Sequence, residues 1–211
     1  MKRCLSGMEK SIEGLNIAVS ELSGTYTYNQ YRQLIDQLLA KNNTTGSNQS
    51  AFYIDYSRQN VERMKRAEEL LTVPLDVSQQ VTKPYQFLLI SEAWCGDASY
   101  TVPVVAGLAK ALPAVDLTII LRDEHLEIMD KFLTNGGRSI AKLIIIDPTT
   151  HQVLGDWGPR PEKAQEIVTE MKQRPDFNQK EMATELFKWY EADKGNSTLN
   201  EIIAVLQSLE Q

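Results

Sequence analysis

Three short apolar runs constrain this chain most: Gln86 to Ser91, Val115 to Leu121 and Lys142 to Asp147. Each has strand length. The first is a continuous apolar run that reads as a strand buried on both faces, the second reads as a second buried strand, and the third as a third strand. Between the first two runs, Asp97 to Leu112 reads as a helix. Between the second and third, Asp123 to Leu133 carries Leu126, Ile128, Met129 and Phe132 and also reads as a helix. Asn135-Gly136-Gly137 ends it with residues that tolerate positive φ. Pro148-Thr149-Thr150 is a turn into a fourth strand, Gln152 to Trp157, which makes the last two strands a hairpin. Pro161 to Lys172 is helical, with Pro161 suited to the first turn. The resulting order is β-α-β-α-β-β-α from Gln86 to Arg174. Right-handed crossovers give parallel pairing and the hairpin adds antiparallel strands. This predicts an α/β fold with a central mixed four-stranded sheet flanked by helices.

Helical spacing also marks the flanks. Tyr26 to Leu39 and Ala51 to Leu71 precede the sheet region, with a polar loop between them and a short helix after Pro74. Asn178 to Tyr190 and Leu199 to Leu209 follow it. The expected organisation is a flexible tail over 1–24, a helical extension over 25–84, a core over 85–174 and a second helical extension over 175–211, packed as one domain. The chain has 211 residues and a formal charge of −6, which offers no excess of cation to nucleic acid or anionic lipid. No apolar run approaches the roughly 20 residues of a membrane helix. Met1-Lys2-Arg3 is followed by Cys4 to Lys10 without the apolar stretch of a secretory signal, so a cytoplasmic location is expected. Met8 is an alternative start. The only cysteines are Cys4 and Cys95, and the only histidines His125 and His151. Their scatter matches no metal spacing, and no cofactor is expected. A structural disulfide between the two cysteines would be unusual in the cytosol.

Cys95 sits in Trp94-Cys95-Gly96-Asp97-Ala98, directly after the first strand and at the start of a helix. The free N–H groups and dipole of a helix N-terminus favour thiolate over thiol. The thiolate is the attacking species in thiol–disulfide exchange. A strand–W-C-G-x-x–helix unit followed by β-α-β-β-α resembles the thioredoxin superfamily. The segments N-G-G-R-S-I-A-K-L-I-I-I-D and W-G-P-R-P resemble a bacterial thioredoxin-like branch with flanking helices. The resemblance implies a thioredoxin-like fold and a redox site at Cys95.

Three departures narrow that implication. The family's resolving cysteine falls on Ala98, so an internal dithiol reaction is excluded. The family's cis-proline falls on Ala141. A cis bond before alanine costs about 3–4 kcal/mol, which predicts a trans bond between Ile140 and Ala141. The family's buried carboxylate, six positions before the nucleophile, falls on Leu89. In addition Asp97 replaces the motif proline, and its charge would raise the pKa of a nearby thiol. Arg138, Lys142 and Arg160 lie in segments able to offset it.

Structural readings stand beside the functional ones. Asp97 also suits a helix start, Arg122-Asp123 a surface ion pair and cap, and Gly136-Gly137-Arg138 a plain turn. His125, inside a helix pattern, and His151, in a hairpin turn, have no motif reason to partner Cys95. Two functional readings remain open. One is a monothiol thiol–disulfide oxidoreductase in which Cys95 attacks a disulfide or a peroxide and an external thiol resolves the adduct. Trp94, Gly96, Asp97, Ala98, Arg138, Ile140 and Ala141 would frame that site. Its partners would be protein or low-molecular-weight thiols and disulfides. The other is a non-catalytic binding module on the same scaffold. A cluster shared through Cys95 between two subunits is a third, weakened by the four ligands such sites usually need.

Overall fold

The computed structural model describes residues 14–210. Five strands form one mixed sheet in the order β1-β3-β2-β4-β5. They are β1 (Thr25–Tyr26), β2 (Tyr85–Ser91), β3 (Val115–Leu121), β4 (Lys142–Ile146) and β5 (Val153–Trp157). The helices are α1 (Tyr28–Ala40), α2 (Ala51–Leu70), α3 (Val77–Gln80), α4 (Gly96–Ala111), α5 (Leu126–Met129), α6 (Glu162–Lys172), α7 (Gln179–Asp193) and α8 (Asn196–Glu210). The expected α/β architecture is present, with one more strand than the four expected.

β2 is central. It pairs in parallel with β3, Leu89 facing Ile119, and antiparallel with β4, Leu89 facing Leu143. Successive side chains of β2 point to opposite faces. Phe87 and Leu89 join the core under α1, α2, α4 and α8, while Leu88 and Ile90 join the core on the other face. All four are fully buried, each side chain worth about 1.5–3 kcal/mol of burial. β4 is as buried as β2 yet runs antiparallel to it. The apolar run therefore reports burial on two faces, not strand direction.

Three expectations need correction. First, Tyr26 belongs to β1, which pairs antiparallel with β3, and α1 starts two residues later. Thr27 fixes that start through a capping box with Gln30. Second, Asp123 to Leu133 is not one helix. It divides into a 3-10 turn over Arg122–Glu124 and the four-residue α5. His125 breaks it at φ −131° and ψ 51°, where its Nε2 lies 2.9 Å from the Ser23 carbonyl. The apolar positions still serve their purpose, since Ile128, Met129 and Phe132 are buried. Third, the tail expected over 1–24 is docked in its second half. Val153 N–H bonds the Leu15 carbonyl, Ile17 N–H bonds the His151 carbonyl, and Ile17 is buried on the second face. A small apolar cluster, invisible to helical or strand periodicity, holds this segment. Residues 1–13, with Cys4, lie outside the described residues.

The C-terminal helices close on the sheet region. α7 begins at Asn178, whose side chain accepts from the N–H groups of Lys180 and Glu181. It ends with Lys194 in the left-handed region at φ 56°. Leu199, Ile202 and Leu206 of α8 enter the first core. Among the described residues no helix is long and apolar enough to cross a membrane.

Candidate functional site

Cys95 occupies the N-cap of α4 in extended geometry, with φ −86° and ψ 119°. Its N–H bonds the Glu92 carbonyl at 3.2 Å, so the link from β2 to α4 is a tight turn. The thiol donates to the Ile140 carbonyl at 3.1 Å. Burial and the Asp97 charge push the thiol pKa up to about 12, against the N–H groups of Ala98 and Asp97 and the Arg160 guanidinium. At neutral pH the sulfur is therefore protonated, and the helix terminus alone does not win.

Asp97 is more than a helix-start residue. It is buried, and Arg160 grips it with Nε at 3.1 Å and a terminal nitrogen at 2.5 Å. The Tyr190 hydroxyl of α7 donates to the same carboxylate at 2.8 Å. Burial, then Asp97, raises the Tyr190 phenol well above its ordinary value. Tyr190 stacks on Tyr100 of α4 with centroids 4.8 Å apart. One carboxylate thus ties the motif, the loop before α6 and the C-terminal extension together.

Of the three cations expected near Cys95, only Arg160 arrives. Lys142 is buried against Asp156 at 2.8 Å and the Gly158 carbonyl at 3.1 Å. Arg138 pairs with Asp130 at 2.6 and 2.8 Å on the surface. The W-G-P-R-P segment delivers Arg160. Gly158 sits at φ +113°, where a Cβ would lie 2.3 Å from the Ala141 carbonyl oxygen, so only glycine allows the approach.

The Ile140–Ala141 bond is cis, which corrects the expected trans bond. Tertiary packing overrides the local preference here. Ala141 is fully buried against Gly158, and the Ile140 carbonyl faces the Cys95 thiol. Ala98 is buried in the core beside the sulfur's helix turn, and Leu89 lies in the core as an ordinary apolar side chain.

Trp94 is half-buried. It meets Tyr53 edge-on at 5.5 Å, and the Arg122 guanidinium lies 4.5 Å from its ring. Arg122 also pairs with Asp123 at 2.8 Å, as the ion-pair reading expects, while neither side chain caps the 3-10 turn or α5. Gly96 lies under the two extensions. A Cβ there would meet the Tyr56 hydroxyl at 2.8 Å and Phe187 Cζ at 2.9 Å.

A buried carboxylate does exist, at a position the sequence reading did not single out. Glu92 is 1% exposed. Its Oε1 accepts from the Asp123 N–H at 3.0 Å, while Oε2 has no protein partner among the described residues. Burial pushes its pKa up to about 7, against the lowering influence of the nearby Thr45 side chain and the Asp123 N–H. The available signal was a lone glutamate between a buried strand and the motif. Tyr190, Tyr56 and Phe187 were missed as well, because they reach the motif from helices distant in sequence.

The sequence matches the thioredoxin family over residues 46–172. No curated protein matches it. Solved structures that match include a 1.5 Å crystal structure of a protein of unknown function from Pseudomonas aeruginosa. That one is 14% identical, covers 87% of this chain and 99% of its own, and has a TM-score of 0.49. A crystal structure of an HIV epitope scaffold is 16% identical over 87% of this chain and 99% of its own, with a TM-score of 0.50.

Proposed function

Because this chain belongs to the thioredoxin family, we propose that it performs thiol–disulfide exchange through Cys95 alone. The observation that carries this reading is the placement of Cys95 at the N-terminus of α4, beside the backbone N–H groups of Asp97 and Ala98, which act to lower the thiol pKa. In the first step the Cys95 thiol loses its proton to solvent. The thiolate bonds one sulfur of a disulfide, whose S–S bond breaks, and the other half leaves as thiolate and takes up a proton. In the second step an external thiolate attacks the bound sulfur of that mixed disulfide, and Cys95 leaves as the thiolate. The net change is exchange of one thiol for another in the disulfide, with no electrons left over. Ala98 cannot perform the second step, so the adduct waits for the outside thiol.

The test is intact-mass measurement on the Cys4→Ser protein treated with 2,2′-dithiodipyridine at pH 9. One thiopyridyl adduct per chain is expected, located on Cys95. It should persist after the reagent is removed and disappear on addition of a monothiol. The doubly substituted Cys4→Ser, Cys95→Ser protein should take up none. An unmodified Cys95 in the folded protein, or an adduct that monothiols cannot release, would contradict the reading.

The non-catalytic binding reading is favoured by one specific feature, the Cys95 thiol donating to the Ile140 carbonyl. That contact stabilises the protonated, unreactive form. It predicts that Cys95→Ser, which keeps a donor there, leaves the cellular role intact.

A further inference from the structure

A groove opens beside the motif, and exchange at Cys95 does not account for its lining. α2 forms one wall, α7 the other, and Trp94 completes the lining. Its volume is about 760 Å³, within the range of small-molecule sites. Phe52, Tyr53, Tyr56, Trp94 and Phe187 give it five aromatic rings. Phe52 is 70% exposed and stacks on Tyr56 at 5.8 Å with the planes 12° apart. A large apolar ring held open to water in this way is a surface for another flat group.

The groove also holds charge. Arg63 lies between two of its rings, 4.1 Å from the Phe187 centroid and 5.1 Å from that of Tyr56. Its hydrogen bonds go to the side-chain oxygens of Asn60 at 2.7 Å and Gln59 at 3.1 Å, both neutral amides. Among the described residues no carboxylate forms an ion pair with Arg63 or with Lys180, which lines the opposite wall. A half-buried guanidinium, fixed by amides and rings but lacking a counter-ion, is oriented to receive an anion. The groove reaches the motif, since Tyr56 and Phe187 both close on Gly96.

We infer that this groove binds a low-molecular-weight aromatic carboxylate, with its ring among Phe52, Tyr56 and Phe187 and its carboxylate on Arg63. As an anion site this stands without any chemistry at Cys95. As the seat of the exchanged disulfide it rests on the single-thiol reading.

The test is calorimetric titration of the Cys95→Ser protein with 2-naphthoate and, separately, with the neutral 2-naphthamide. Saturable binding of 2-naphthoate is expected, with 2-naphthamide at least about tenfold weaker. Arg63→Gln should abolish that preference. Phe52→Ala, at an exposed position that tolerates truncation, should weaken 2-naphthoate severalfold. Failure of both probes to bind, equal affinities, or a preference that survives Arg63→Gln would overturn the proposal. Cys95→Ser cannot exchange, so the two ideas fail separately. Loss of naphthoate binding with adduct formation intact in the parent protein removes the groove alone. The reverse result removes the exchange reading alone.

Discussion

Asp97→Asn is expected to speed alkylation of Cys95 at pH 7 by at least about tenfold, and Arg160→Gln to slow it. The sign follows from the site. The Asp97 carboxylate raises the thiol pKa and the Arg160 guanidinium lowers it. Removing the negative charge leaves Arg160 facing the sulfur without its counter-ion. Each tenfold gain in thiolate corresponds to one pKa unit, so even a partial release is easily read. Both variants break a pair whose side chains are only 10% and 19% exposed, at a cost of about 3 kcal/mol. They should therefore lose stability together while their rates move in opposite directions. General loosening would speed both. Rates measured in the Cys4→Ser background, beside thermal melts, separate the two effects. Equal acceleration in both variants would show that the ion pair acts only on the fold.

Glu92→Gln should stabilise the protein at pH 8 and do little at pH 4. The carboxyl titrates near its ordinary 4.5 in the unfolded chain and near about 7 in the folded one. Between those values the folded state holds a proton that the unfolded state has released. Stability is thus fully present below about 4.5, falls as pH rises through about 7, and levels off above that. The difference corresponds to about 3 kcal/mol across the window. Glutamine keeps an acceptor for the Asp123 N–H and carries no charge at any of these pH values. At pH 8 its melting temperature should exceed that of the parent by roughly 5–10 °C, narrowing to near zero at pH 4. A shift of equal size at both pH values would mean that burial of Glu92 exacts no electrostatic cost.

The sheet was legible in the sequence because β2 and β4 are buried on both faces and so appear as apolar runs, and because β3, though Asp116 is exposed, ends in the buried run Ile119 to Leu121. The two-residue β1 and the docked segment from Leu15 to Leu22 were not. Their place is decided by pairing with β3 and β5-side residues rather than by any internal period. The break at His125 was hidden because its cause, the Ser23 carbonyl, is far away in sequence. At the site, Cys95 and its helix start were readable from strand–motif–helix order. Which cation would reach Asp97 was not. Arg138, Lys142 and Arg160 look alike in sequence, and local partners Asp130 and Asp156 take the first two. The Ile140–Ala141 geometry and the Glu92 burial share that origin. In both, neighbours from distant segments outweigh what the residue prefers alone.

The proposed exchange makes Cys95 a lone nucleophile held back by burial and Asp97. The most direct measurement is its iodoacetamide alkylation rate against pH in the Cys4→Ser protein. The rate should climb steadily through neutral and alkaline pH, with an apparent pKa well above the ordinary thiol value of about 8.5. A plateau reached below pH 8 would mean that the helix terminus and Arg160 dominate, and that burial and Asp97 do not hold the thiol back.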